Sequence, residues 1–123
     1  MALREDLLHL SPEALDAARG AATMMAMNNV YYRFLHLATN PEYRTMPARL
    51  RMAFVCKPGV DKVDFELWSM AVSSINGCEH CVASHEAVVR EGGLSKTAIF
   101  EAIRVASIIG GVGQALAVAD ALA

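Results

Sequence analysis

Two thiols, two imidazoles and a carboxylate stand near enough along this chain to act together. The run Cys78-Glu79-His80-Cys81-Val82-Ala83-Ser84-His85 sets its thiols three residues apart, with an imidazole four residues after the second. Glu66 stands twelve residues before Cys78, inside an otherwise apolar helical stripe. A close thiol pair can cycle between dithiol and disulfide, or it can supply part of a zinc site. On the redox reading, His85 shares a helix face with Cys81 and serves as base toward its thiol or as partner of its thiolate. His80 faces elsewhere on the helix. A carboxylate in a buried stripe is costly unless it is paired, which predicts a chain of Glu66, His85 and Cys81 if the helices fold back on each other. On the zinc reading, Cys78, Cys81 and His85 supply three ligands and one of Cys56, His9, His36 or Glu66 completes the site. The residues alone leave both readings open.

The elements that must position this group read as helical throughout. Nowhere do Val, Ile and Tyr gather into alternating runs long enough for a sheet. Ser11 as N-cap, Pro12 at the first helical position and Glu13 open a first helix. Its apolar face runs through Met24, Met27, Tyr31, Phe34 and Ala38, and Thr39-Asn40-Pro41 ends it. Met24, Met25 and Met27 read as core filling rather than as a cofactor site. Pro47 opens a short helix over Arg49 to Val55, and Lys57-Pro58-Gly59 is a turn. Asp61 caps a helix to about Ile75 with Val63, Leu67, Met70, Ala71 and Ser74 inward, and Asn76-Gly77 breaks it. The next helix begins near Cys78, placing the thiols where free N–H groups and the helix dipole favour a thiolate. It ends at Gly92-Gly93, where glycine suits a left-handed exit. Ser95 caps a helix to about Ile109. Gly110-Gly111 kinks or splits the chain there, and Val112 to Leu122 forms a last helical segment.

The chain has 123 residues, 54% apolar and 20% charged, enough for one domain with its own core over residues 1–123 and too apolar for disorder. A net charge of −2 gives no reason to expect nucleic acid or an anionic membrane. No stretch reaches roughly 18 uninterrupted apolar residues, the length of a membrane span. Met1 to Asp16 has no cationic start leading into an apolar run, so no secretion signal is read. Three cysteines without such a signal argue for a reducing, cytoplasmic setting and against a structural disulfide framework. Cys56, outside the pair, reads as a small buried hydrophobe. Gly110-Gly111-Val112-Gly113 follows a helix and does not suit a dinucleotide fingerprint.

The pattern of Glu66, eleven residues, Cys78-x-His80-Cys81, three residues and His85 resembles the signature of the alkylhydroperoxidase D family, within the carboxymuconolactone decarboxylase-like superfamily. The likeness extends to Met27-Asn28-Asn29-Val30-Tyr31-Tyr32-Arg33, Pro58-Gly59, Phe65-Glu66-Leu67-Trp68-Ser69 and Ile75-Asn76-Gly77-Cys78. It continues through Ala98-Ile99-Phe100-Glu101-Ala102 and Gly113-Gln114-Ala115-Leu116-Ala117, so it covers roughly residues 15 to 122. The resemblance implies an all-α fold, a homotrimer, and a cytoplasmic antioxidant peroxidase that also reduces a peroxiredoxin of the alkyl hydroperoxide reductase C type. It implies no bound cofactor, with electrons coming from dihydrolipoamide on a lipoylated dihydrolipoamide acyltransferase. It also implies roles: Cys81 as the attacking thiol, Cys78 as resolving thiol and proton donor, and Glu66, His85 and His80 as a proton relay. Longer members carry an additional helical half before the matched region, and this chain begins close to where a second half would begin. A decarboxylase or lactone-handling activity, as in another branch of the superfamily, is a further alternative.

Overall fold

The computed structural model describes residues 9–123. The architecture is all-α: α1 Pro12–Leu37, a 3-10 turn Pro41–Thr45, a short α2 Ala53–Cys56, α3 Lys62–Asn76, α4 Glu79–Glu91 and α5 Lys96–Leu122, with no strand among the described residues. Part of the Met1 to Asp16 segment read for a signal, and the side chain of Cys56, lie outside what the structure describes.

Helix starts follow the local chemistry. The Ser11 hydroxyl accepts from the Ala14 N–H, the Asp61 carboxylate from Val63 N–H and the Ser95 hydroxyl from Ala98 N–H, each satisfying a donor that has no partner within its helix. α3 is the central element and packs against α1, α4 and α5. It therefore buries two faces. Toward α1, Phe65 joins Ala17 and Ala21, with Val55, Val60 and Trp68 around them. On the other side Met70 meets Val89 and Ile99, with Val63, Leu67, Val82, Leu94 and Ile103 packed on the cluster. The single stripe expected for this helix is thus only half of its contact surface. Met70 is fully buried, Val63, Leu67, Ala71 and Ser74 are half-buried, and Phe65, Glu66, Ser69 and Ser73 are buried with it.

Other expectations are corrected. α1 buries Ala17, Ala21, Met25, Asn28 and Asn29, not the bulkier stripe of Met24, Met27, Tyr31 and Phe34. Small alanines let α3 approach closely, and Asn29 finds partners on α3 in Ser73 and Asn76, so the bulkier stripe is only partly covered and Phe34 is half exposed. The helix expected from Arg49 starts only at Ala53, since residues 47–52 are irregular and Arg49 has φ +52°. Gly110-Gly111 does not divide the last helix: α5 runs unbroken for 27 residues. A glycine costs a helix interior about 0.5–1 kcal/mol relative to alanine, too little on its own to break a helix that contains no proline. The left-handed exit expected at Gly92-Gly93 is present, and it is Gly93 that takes it (φ +96°).

α5 packs on α3 through Ile99 and Ala106, and every residue from Gly111 onward is exposed. By length and composition α5 could cross a membrane, although no uninterrupted apolar run of that length is present.

Candidate active site

The thiol pair sits on the connection between α3 and α4. α3 ends at Gly77, whose φ +70° and ψ +36° lie in the left-handed region that glycine adopts without steric penalty. The Cys78 N–H then donates back to the Ser73 carbonyl at 3.0 Å, so the chain reverses tightly into α4. α1 clamps this reversal. Asn29 Nδ2 donates to Ser73 Oγ at 2.9 Å, and Asn76 Nδ2 donates to Asn29 Oδ1 at 2.9 Å. Arg33 Nη1 donates to the Asn76 carbonyl at 2.5 Å.

Cys78 is the N-cap of α4, and its Sγ accepts from the Cys81 N–H at 3.4 Å. Cys78 and Cys81 are joined in a disulfide, with Cα atoms 5.3 Å apart. Cys78 is fully buried and Cys81 keeps 4% of its surface. An open cleft of about 560 Å³ reaches the pair on the Cys78 side, between Ser74, Gly77, Val82, Ala83, Glu79 and Glu86.

The reversal also brings Glu66 to His85. Their Oε2 and Nδ1 atoms are 2.5 Å apart, with side chains only 9% and 12% exposed. The Nδ1–H donates to the carboxylate, which fixes the imidazole and supplies the buried carboxylate with the partner it requires. The second ring nitrogen, Nε2, is 3.3 Å from Met25 Sδ. The first link of the expected chain is therefore formed. The last is not: among the described residues no hydrogen bond joins His85 to Cys81, whose sulfur is held in the disulfide. His80 is exposed and stacks on Tyr32, ring centroids 4.9 Å apart and planes inclined by 25°. It lies in a different environment from the Glu66–His85 pair.

Sequence reasoning does not identify Met25 and Tyr32 as neighbours of the site. Helical spacing gives Met25 as core filling, which it is, at 1% exposure. Its contact with His85 spans 60 residues of chain, and no local signal carries it. Among the described residues no three His, Cys, Asp or Glu side chains form a group arranged to hold a metal ion.

The arrangement can form and break a disulfide at a helix N-terminus beside a buried carboxylate–imidazole pair. Against known proteins, residues 41–123 match the model of the carboxymuconolactone decarboxylase family. A protein of Azorhizobium caulinodans named alkyl hydroperoxide reductase AhpD is 62% identical over 113 residues, covering 92% of this chain and 62% of that protein. A protein of the same name from Methylocella silvestris is 56% identical, covering 95% of this chain and 66% of its own length. Another from Solibacter usitatus is 54% identical, covering 98% and 72%. The chain thus spans less than two thirds of the length of the first two relatives.

Proposed function

Because the chain belongs to the carboxymuconolactone decarboxylase family, among the alkyl hydroperoxide reductase AhpD proteins, we propose that it is an antioxidant thiol oxidoreductase that works through Cys78 and Cys81. The observation that carries this reading is the Cys78–Cys81 disulfide at the start of α4, in the same fold-back that pairs Glu66 with His85.

In the cycle we propose, the Cys81 thiolate attacks the terminal oxygen of a hydroperoxide. The O–O bond breaks, Cys81 becomes a sulfenic acid and the substrate leaves as its alcohol after taking a proton. Cys78 then attacks the Cys81 sulfur; its thiol proton and the sulfenic hydroxyl leave as water, and the disulfide closes. A dithiol of the dihydrolipoamide type reopens it: two thiol–disulfide exchanges return two protons and two electrons to the cysteines and leave the donor as a cyclic disulfide. The same pair reduces the disulfide of a peroxiredoxin of the alkyl hydroperoxide reductase C type, through a mixed disulfide on Cys81 that Cys78 resolves. His85, oriented by Glu66, manages the proton at Cys81, and His80 is the outer member of the relay. No bound cofactor is required, and the dithiol arrives on a lipoylated acyltransferase.

The assembly proposed is a cytoplasmic homotrimer. The bare apolar length of α5 supports a subunit interface: its first turns already pack on α3 through Ile99, in the manner of a helix built for protein contact.

A dihydrolipoamide-coupled assay, run with an alkyl hydroperoxide and separately with an oxidised peroxiredoxin, tests the reading. Turnover with one or both that is lost in Cys81→Ser and in Cys78→Ser is the expected result. No turnover with either, together with stoichiometric zinc in the freshly purified protein, overturns it in favour of a zinc module. Activity that survives Cys81→Ser favours the decarboxylase branch.

A further inference from the structure

Three helices each turn one stripe toward the thiol pair. On α1 it is Met25, Asn28 and Tyr32, on α3 it is Glu66, Ser69 and Ser73, and from the N-cap of α4 onward it is Cys78, Cys81 and His85. Each stripe has the i, i+3, i+7 spacing of a single helix face. The outer members of the stripes are tied together. At one level His85 meets Glu66 through Nδ1, and its Nε2 is 3.3 Å from Met25 Sδ. At the other, Tyr32 stacks on His80, and the Cys78 N–H donates to the Ser73 carbonyl at 3.0 Å. These pairings descend α4 as they ascend α1 and α3, so α4 runs antiparallel to both. The middle members, Asn28, Ser69 and Cys81, fall at the level between.

Two of those middle members are incompletely bonded. Among the described residues, the buried side-chain polar atoms without a hydrogen-bond partner in the protein are Asn28 Oδ1 and Ser69 Oγ. Asn28 is 6% exposed, Ser69 is 0% and Cys81 is 4%. An unpaired polar group is costly to bury, and two at one level call for a partner that another state of the molecule supplies. The third middle member changes state. In the disulfide the Cys81 sulfur carries no proton to donate and is tied to Cys78. Once the bond opens, it becomes both a donor and an acceptor.

We propose that Asn28 and Ser69 form a polar cradle for the Cys81 sulfur when the disulfide is open. The Cys81 S–H donates to Asn28 Oδ1, and Ser69 Oγ–H donates to the sulfur. When Cys81 carries a sulfenic hydroxyl, that O–H takes the place of the S–H. The cradle rests on the thiol oxidoreductase reading for its part in turnover, but not for its effect on the disulfide. Because its bonds exist only in the open form, it favours the dithiol over the disulfide.

Equilibration of the full chain with dithiothreitol tests this. Two thiol–disulfide exchanges pass two electrons and two protons to Cys78 and Cys81 and leave the reagent as a cyclic disulfide. Alkylation and mass spectrometry read the open fraction. Ser69→Ala and Asn28→Ala should each lower the equilibrium constant for opening about 10-fold, as expected for one lost hydrogen bond, which is about 30 mV in potential. A constant within about 2-fold of the wild type in either variant overturns the proposal.

Urea unfolding of each redox form separates the cradle from packing, since a packing loss weakens both forms alike. Ser69→Ala should leave the midpoint of the disulfide form unchanged or raised and lower that of the dithiol form. In Asn28→Ala the dithiol midpoint should fall further than the disulfide midpoint. Equal changes in both forms assign the two residues to packing and overturn the proposal. Shifted constants in a chain that reduces neither a hydroperoxide nor a peroxiredoxin would sink the oxidoreductase reading and leave the cradle standing. Unshifted constants in a chain that turns over would do the reverse.

Discussion

Glu66 and His85 are the residues whose placement most constrains the chemistry. A carboxylate 9% exposed has one strong partner, an imidazole nitrogen at 2.5 Å. Glu66→Gln keeps the shape and removes the charge that orients the ring. We expect dithiol turnover to fall about 10²-fold, the lower end of what a positioned acid–base group contributes, with circular dichroism unchanged and the disulfide still able to form. His85→Gln should slow turnover to a similar degree. Met25 makes a separable contribution. Met25→Leu is nearly volume-conserving and should cost less than about 1.5 kcal/mol in stability. It removes the sulfur 3.3 Å from His85 Nε2, so the His85 ring signals should move in an NMR spectrum of the disulfide form. Unmoved signals would show that Met25 only fills space.

At the scale of elements, the α3–α4 reversal carries the site, and its parts can be weakened one at a time. Gly77 has φ +70°. Placing a Cβ there should cost about 1–2 kcal/mol, so Gly77→Ala should lower the urea midpoint. Asn29→Ala strips partners from Ser73 and Asn76 in a buried setting and should cost about 1–3 kcal/mol, and it should also slow closure of the Cys78–Cys81 disulfide. Much of this reversal was legible in the sequence. Asn76-Gly77 is a turn signal, Asp61 and Ser95 are caps, and the spacing from Glu66 to His85 allowed their pairing across a tight connection. The buried face of α1 was not legible. Both of its stripes can pack, and the choice between them fell to Ala17, Ala21 and Asn29, whose partners lie on another helix. The unbroken course of α5 was missed for the opposite reason, because two glycines weigh heavily in a local reading and little in a 27-residue helix.

For the molecule as a whole, the outstanding fact is the apolar surface left open. Val105, Ile108, Ile109, Val112, Leu116 and Leu122 are between 46% and 83% exposed along α5. A contiguous face of this kind marks an interaction site rather than a monomer surface. Sedimentation of the 123-residue chain should therefore give a mass several-fold above 13.3 kDa. Ile108→Glu combined with Leu116→Glu should return it toward the monomer, since association would then bury two unpaired carboxylates. A monomeric wild-type chain at micromolar concentration would remove the support α5 gives to the trimer.

The cap that Cys78 provides ties electron transfer to folding. Its Sγ receives the Cys81 N–H at the head of α4. A free thiol there and a disulfide sulfur accept this bond with different strengths, so the two redox forms of the fold differ in stability. By a thermodynamic cycle, whatever the dithiol gains in folding stability must reappear in the redox equilibrium. About 1.4 kcal/mol of such gain raises the reduction potential of the folded pair over that of the unfolded chain by about 30 mV. The helix is thus a voltage-setting element, and a denaturation curve recorded in each redox form measures the same quantity as a potentiometric titration.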